Sequence, residues 1–135
     1  MMKALVVEDE GLTRDLLSSL LKREFDFDEI AQASDGDEAW QLFLGDEYTF
    51  IMIDLIIPKL DGLKLARRIL EHDRGQKIIV LSSECDDYTV KEVSRSGIFG
   101  YIDKPGMSEF VLLEAIRTVE QSRYAARVYF KVFES

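Results

Sequence analysis

The chain has 135 residues and a mass of 15.5 kDa, enough for one domain with one proper core and too little for two ordinary ones. Lys and Arg total 17 against 26 for Asp and Glu, so the formal net charge is −9, which disfavours a nucleic-acid or anionic-membrane surface on this domain. A single cysteine (Cys85) and a single histidine (His72) exclude an internal disulfide and a multi-His/Cys zinc site, and there is no apolar run of membrane-spanning length. The expectation is a soluble, cytoplasmic domain.

Ala4 to Val7 is a short continuous apolar run stopped by Glu8 and Asp9, as in a strand buried on both faces. Leu12, Leu16, Leu17, Leu20 and Leu21 follow at helical spacing and predict the inner face of a first helix. Glu29 to Ala33 reads as a weak second strand. Ser34 to Glu38 reads as a helix start, with a capping oxygen and acids in the first turn, and Ala39, Leu42 and Phe43 supply that helix's inner face. Thr49 to Ile53 is the clearest buried strand and ends at Asp54. Pro58 and Asp61-Gly62 mark a loop before a stripe of Leu63, Ala66, Ile69 and Leu70. Lys77 to Leu81 forms a fourth strand ending at Ser82. Asp87 to Ser96 forms a short helix with a thin stripe, Val90 and Val93. Ile98 to Ile102 is a fifth strand followed by Asp103, Lys104 and Pro105, and Glu109 to Gln121 is a last regular helix.

Five strands alternating with five helices imply an α/β fold: a doubly wound parallel sheet with helices on both faces. In such sheets ligands bind beyond the carboxyl ends of the strands, where the strand order reverses. With the order 2-1-3-4-5, Glu8, Asp9 and Asp54 crowd one rim. Clustered carboxylates stay ionised together only beside a compensating cation, and hard oxygen ligands suit Mg²⁺. Lys104 adds a fixed positive charge and Ser82 a hydroxyl. Together these can hold a phosphoryl group against a carboxylate, and Asp54 is the natural nucleophile.

These residues resemble the response regulator receiver domain of two-component signalling, which has the flavodoxin-like fold of the chemotaxis regulators. The marks are Glu8-Asp9, Asp54 to Pro58, Lys59 to Gly62, Ser82, and Tyr101 to Pro105. The resemblance covers about residues 3–121. It implies that Asp54 accepts a phosphoryl group from a sensor histidine kinase, a phosphotransfer protein or a small phosphodonor. It implies Mg²⁺, with Mn²⁺ as a substitute, held by Asp9, Asp54 and the Ile56 carbonyl, with Glu8 acting through water. Lys104 and Ser82 would contact the phosphoryl group, and Ser82 and Tyr101 would switch position. The Lys104–Pro105 bond is expected to be cis. The face of the fourth helix, fifth strand and fifth helix would then signal to an output domain or partner, or form a homodimer.

Residues 1–121 are expected to form the receiver and 122–135 a C-terminal extension. Three readings of the extension stay open: continued helix (also a dimer seam), the start of a linker to an output domain, and a tail folded back on the domain. A competing function is a metal-dependent phosphohydrolase with Asp54 as nucleophile, but its second acid would fall at Ile56. Neither a G-x-x-x-x-G-K-[ST] nor a G-x-G-x-x-G motif is present, and Glu8-Asp9-Glu10 does not suit a flavin phosphate loop. Trp40 reads as packing, His72 as solvated at a helix end, and Cys85 as a small loop residue. Gly106, where the family often has Phe, predicts a looser turn. In the family, positions two beyond the phosphoacceptor and two beyond Ser82 (Ile56 and Glu84) influence how water reaches the acyl phosphate. Bulky Ile56 should slow hydrolysis, so Ile56→Asn should lose its phosphoryl group faster than wild type in a phosphate-release time course.

Overall fold

A computed structural model describes residues 2–83, 86–104 and 107–121, and the backbone of 128–130. Strands β1 (Lys3–Val7), β2 (Glu29–Ala33), β3 (Phe50–Asp54), β4 (Ile78–Ser82) and β5 (Gly100–Asp103) alternate with helices α1 (Gly11–Glu24), α2 (Gly36–Gly45), α3 (Gly62–His72), α4 (Asp87–Arg95) and α5 (Glu109–Gln121). All strands pair in parallel, in the expected order β2-β1-β3-β4-β5. Every residue of β3 and β4 is buried, which is why both read as continuous apolar runs.

The sheet divides two cores. Leu5, Val7, Ile51, Ile53, Ile78, Val80 and Tyr101 face α2, α3 and α4. Ala4, Val6, Phe50, Met52, Ile79, Leu81 and Ile102 face α1 and α5. Three helices start on aspartate caps: Asp35 accepts from the Glu38 amide at 2.8 Å, Asp61 from Lys64 at 2.9 Å and Asp86 from Thr89 at 2.6 Å.

Helix α1 departs from expectation. Leu17, Leu20 and Leu21 are buried, but Leu12 and Leu16 are 71% and 62% exposed. At 100° per residue the five leucines span half the helix circumference, more than the stripe one sheet face covers. The buried residues Leu17, Ser18, Leu20 and Leu21 form an arc centred between Leu17 and Leu21, which leaves Leu12 and Leu16 on its solvent side.

Beyond α5, Val128–Phe130 forms a sixth strand, β6, parallel to β5 with Tyr129 opposite Tyr101. Those three residues are therefore extended, not helical. Residues 122–127 and 131–135 lie outside the described residues. So do Glu84, Cys85, Pro105 and Gly106, and with them the expected cis bond, the looser turn and the loop cysteine. Among the described residues no helix is long and apolar enough to cross a membrane.

The start of α3 is packed directly against the end of β3. A Cβ on Gly62 would stand 2.2 Å from the Asp54 carbonyl oxygen and 2.6 Å from Leu55 Cα. Both are backbone atoms with little room to yield. Gly62→Ala should destabilise the fold by about 1–3 kcal/mol, the usual range for overpacking, read as a lower chemical-denaturation midpoint.

Candidate functional site

The chain runs from β1 outward to β2, then returns to β3 on the other side of β1, so the carboxyl ends of β1 and β3 flank the point of reversal. Glu8 follows β1 directly and is fully buried, while Asp9 turns out to solvent. Asp54 ends β3 at 4% exposure. Among the described residues these three acids offer one carboxylate oxygen each, all within 4.8 Å of one another.

Lys104, directly after β5, closes the cluster. Its Nζ lies 2.5 Å from Asp54 Oδ2 and 2.7 Å from Glu8 Oε1. Burial alone would lower the ammonium pKa, but the hydrogen bonds and charges of Asp54 and Glu8 outweigh it and the net direction is upward. Glu8 is pushed up to about 7, first by burial and then by Asp54, with Lys104 opposing. The Ile56 amide donates to Asp54 Oδ1 at 2.9 Å, so both Asp54 oxygens have a fixed partner. Arg14 Nη1 donates to the Glu8 carbonyl at 2.9 Å and ties α1 to this rim.

A divalent cation fits this donor set. Glu8 Oε2 is shut from solvent and has no hydrogen-bond partner, an arrangement that is costly unless something else fills its coordination. Three carboxylates against one ammonium leave net negative charge, and hard oxygen donors suit Mg²⁺. Glu8, Asp9 and Asp54 would hold it.

Ser82 ends β4 at 1% exposure; its neighbour Leu81 is in register with Asp54, which puts Ser82 one residue beyond Asp54 along the rim. Tyr101 lies deeper. It is fully buried on β5 in the α3–α4 core, so it belongs to the layer beneath the rim rather than to the rim itself. Ile56 carries a half-exposed side chain (54%) beside the acids. Trp40 lies elsewhere, stacked on Phe43 with Arg68 over its ring at 4.7 Å, as the packing reading expects. His72 is exposed, and its ring meets both Trp40 and Phe43 edge-on.

Two features escaped the sequence. One is the direct Glu8–Lys104 pair, between residues 96 positions apart. The other is Asp103, whose Oδ1 is also buried without a partner. Its place immediately before Lys104 was the one available signal.

The parallel sheet in this order, with an acid rim and a bridging lysine at the carboxyl ends of its strands, defines a doubly wound α/β domain of the CheY-like class. The chain belongs to the response regulator receiver domain family, whose pattern it matches over residues 4–117. It is 37% identical over 131 residues to the transcriptional regulatory protein SrrA of Staphylococcus aureus, an alignment covering 91% of this chain and 53% of that protein. The chain thus spans about half the length of the curated relatives it matches. Among solved structures it is similar to the receiver domain of Francisella response regulator 1452 (25% identity, TM-score 0.80, 90% of this chain and 98% of that one). It shares its fold with the CheY-like receiver domain protein of Methanospirillum hungatei JF-1 (21%, TM-score 0.81, 89% and 94%). It also shares it with a chain of the CheX–CheY–BeF3–Mg²⁺ complex of Borrelia burgdorferi (24%, TM-score 0.81, 90% and 90%). The protein is therefore a receiver domain of two-component signalling.

The raised Glu8 pKa sets a pH dependence. An acid whose folded pKa lies above its unfolded value contributes stability below the ordinary carboxylate range, and that stability is lost as pH rises through about 7. Metal-free protein should melt at a lower temperature above that pH than below it, and Glu8→Gln should flatten the change. Saturating Mg²⁺, which favours the ionised form, should flatten it too. Thermal melts across the range check all three.

Proposed function

We propose that this receiver accepts a phosphoryl group on Asp54 in a Mg²⁺-dependent reaction and passes the change to an output. The observation that carries the reading is the ion pair of Lys104 Nζ with Asp54 Oδ2 at 2.5 Å inside an otherwise acidic, mostly buried rim. A free carboxylate is a weak nucleophile toward phosphorus unless the charge on both reactants is balanced. Asp54 is held by the Ile56 amide on one oxygen and by Lys104 on the other.

In the transfer an Asp54 oxygen forms a bond to phosphorus as the bond to the donor's leaving group breaks. That group is the imidazole of a histidine kinase or phosphotransfer protein, or acetate from acetyl phosphate. Lys104 moves its hydrogen bond from the carboxylate to a phosphoryl oxygen, and the Ser82 hydroxyl donates to another. The bound cation would neutralise phosphoryl oxygens during the transfer. In the separate hydrolysis step water attacks phosphorus, the bond to the Asp54 oxygen breaks, and inorganic phosphate and the free Asp54 carboxylate are released. Ile56 shields that approach with its half-exposed side chain. The product carries about −1.5 to −2 added charge, and Ser82 with Tyr101 behind it would convert this into a shift of α4 and β5. Helix α4 buries only Val93 outright, so it is weakly anchored for such a shift.

Residues 1–121 would form the switch and 122–135 the extension toward an output, either through the α4, β5 and α5 face or within a longer chain. A phosphohydrolase with Asp54 as nucleophile is not favoured, because position 56 offers no acid. Incubation with acetyl phosphate and Mg²⁺ should add the mass of one phosphoryl group. Asp54→Asn should abolish the gain and Lys104→Ala should slow it at least tenfold (roughly 1.4 kcal/mol of transition-state charge stabilisation). Continuous turnover of a free phosphate ester by the wild type would overturn the reading.

A further inference from the structure

Two carboxylate oxygens in the described residues are buried without a hydrogen-bond partner, Glu8 Oε2 and Asp103 Oδ1. A divalent cation accounts for the first. Nothing at the rim accounts for the second, and a buried unpaired carboxylate oxygen is costly enough to need a reason.

The register locates Asp103. Strand β5 pairs with β4 so that Val80 faces Tyr101 and Ser82 faces Asp103. Val80 and Tyr101 lie in the same core on the α3–α4 side. Two residues further on, Ser82 and Asp103 share that face at the strand ends, one strand spacing apart (about 4.8 Å). Asp103 is also bonded to Lys104, whose ammonium is already engaged by Glu8 and Asp54. Asp103 makes no ion pair among the described residues. It is therefore a fourth acid at the rim, partly exposed, outside the cation cluster and without a basic partner among the described residues.

We infer that Asp103 is a positioning residue that opposes occupancy of Asp54 by a phosphoryl group. Its carboxylate, on the strand next to Ser82, repels the added negative charge. That favours the empty state, so Asp103 keeps the switch easily reset. The inference rests on the phosphoacceptor reading of Asp54.

The test is a calorimetric titration of the full chain with beryllofluoride at saturating Mg²⁺, which measures occupancy without turnover. Asp103→Asn keeps the shape and removes the charge, and should tighten binding by roughly 3- to 10-fold, as expected for one like charge removed nearby at an effective dielectric of tens. Asp103→Ser, a smaller uncharged residue, should tighten it similarly, which separates charge from packing of the amide. Asp103→Glu should stay close to wild type. The gain should shrink as salt is raised. Equal or weaker binding by both uncharged variants, or tightening by Asp103→Glu as well, overturns the inference while leaving the phosphoacceptor reading intact. Failure of the wild type to bind, or binding unchanged in Asp54→Asn, overturns both.

Discussion

The site depends on how one ammonium is shared. Lys104 sits between Glu8 and Asp54, two carboxylates that mutual repulsion would otherwise separate or protonate. Its position comes from the sheet: β1 and β3 are neighbours, β4 and β5 follow, and each strand ends at the same edge. Glu8, Asp54 and Lys104 come from distant parts of the chain and meet because β1, β3 and β5 stop at the same edge. The rim is poised, since the ammonium offsets only part of the acid charge. The remainder is what makes a hard divalent ion fit, while burial, with Asp54 beside it, pushes the Glu8 carboxyl upward.

The same arrangement explains why the scaffold is rigid beneath the rim and looser at one side. Strands β3 and β4 are buried along their whole length and hold Asp54 and Ser82. Gly62 lets α3 begin against the Asp54 carbonyl, so the backbone behind Asp54 is clamped from outside. Helix α4 has one fully buried side chain, and its ties across to α3 are polar: Arg67 donates to Ser96 Oγ at 2.9 Å and to Glu92 at 2.7 Å. A fixed site beside a lightly held helix suits the proposed switch, in which a phosphoryl charge would favour one of two arrangements over the other.

Much of this was legible before any coordinates. The apolar runs of β1, β3 and β4 announced doubly buried strands, and the residues after them were the rim. Asp35 lay in a predicted helix start and Asp61 in a predicted loop, and both act as caps. What was not legible concerns which way a side chain faces. Glu8 and Asp9 are adjacent acids, yet one is sealed from solvent and the other is exposed. Leu12 and Leu16 share the spacing of Leu17 and Leu20 but lie off the packed arc, because periodicity defines a stripe without saying how wide the opposing surface is. Asp103 drew no role from the sequence, and only the register put it beside Ser82.

The amino-acid order by itself determined the alternation of elements, the parallel sheet and the set of chemical groups at the strand ends, because strand burial and helix periodicity are local properties of the chain. Only the tertiary structure decided the pairing of Lys104 with both Glu8 and Asp54, the protonation balance of Glu8 and the isolation of Asp103. Those depend on distances across strands and on the exclusion of water, and no local pattern of residues encodes either.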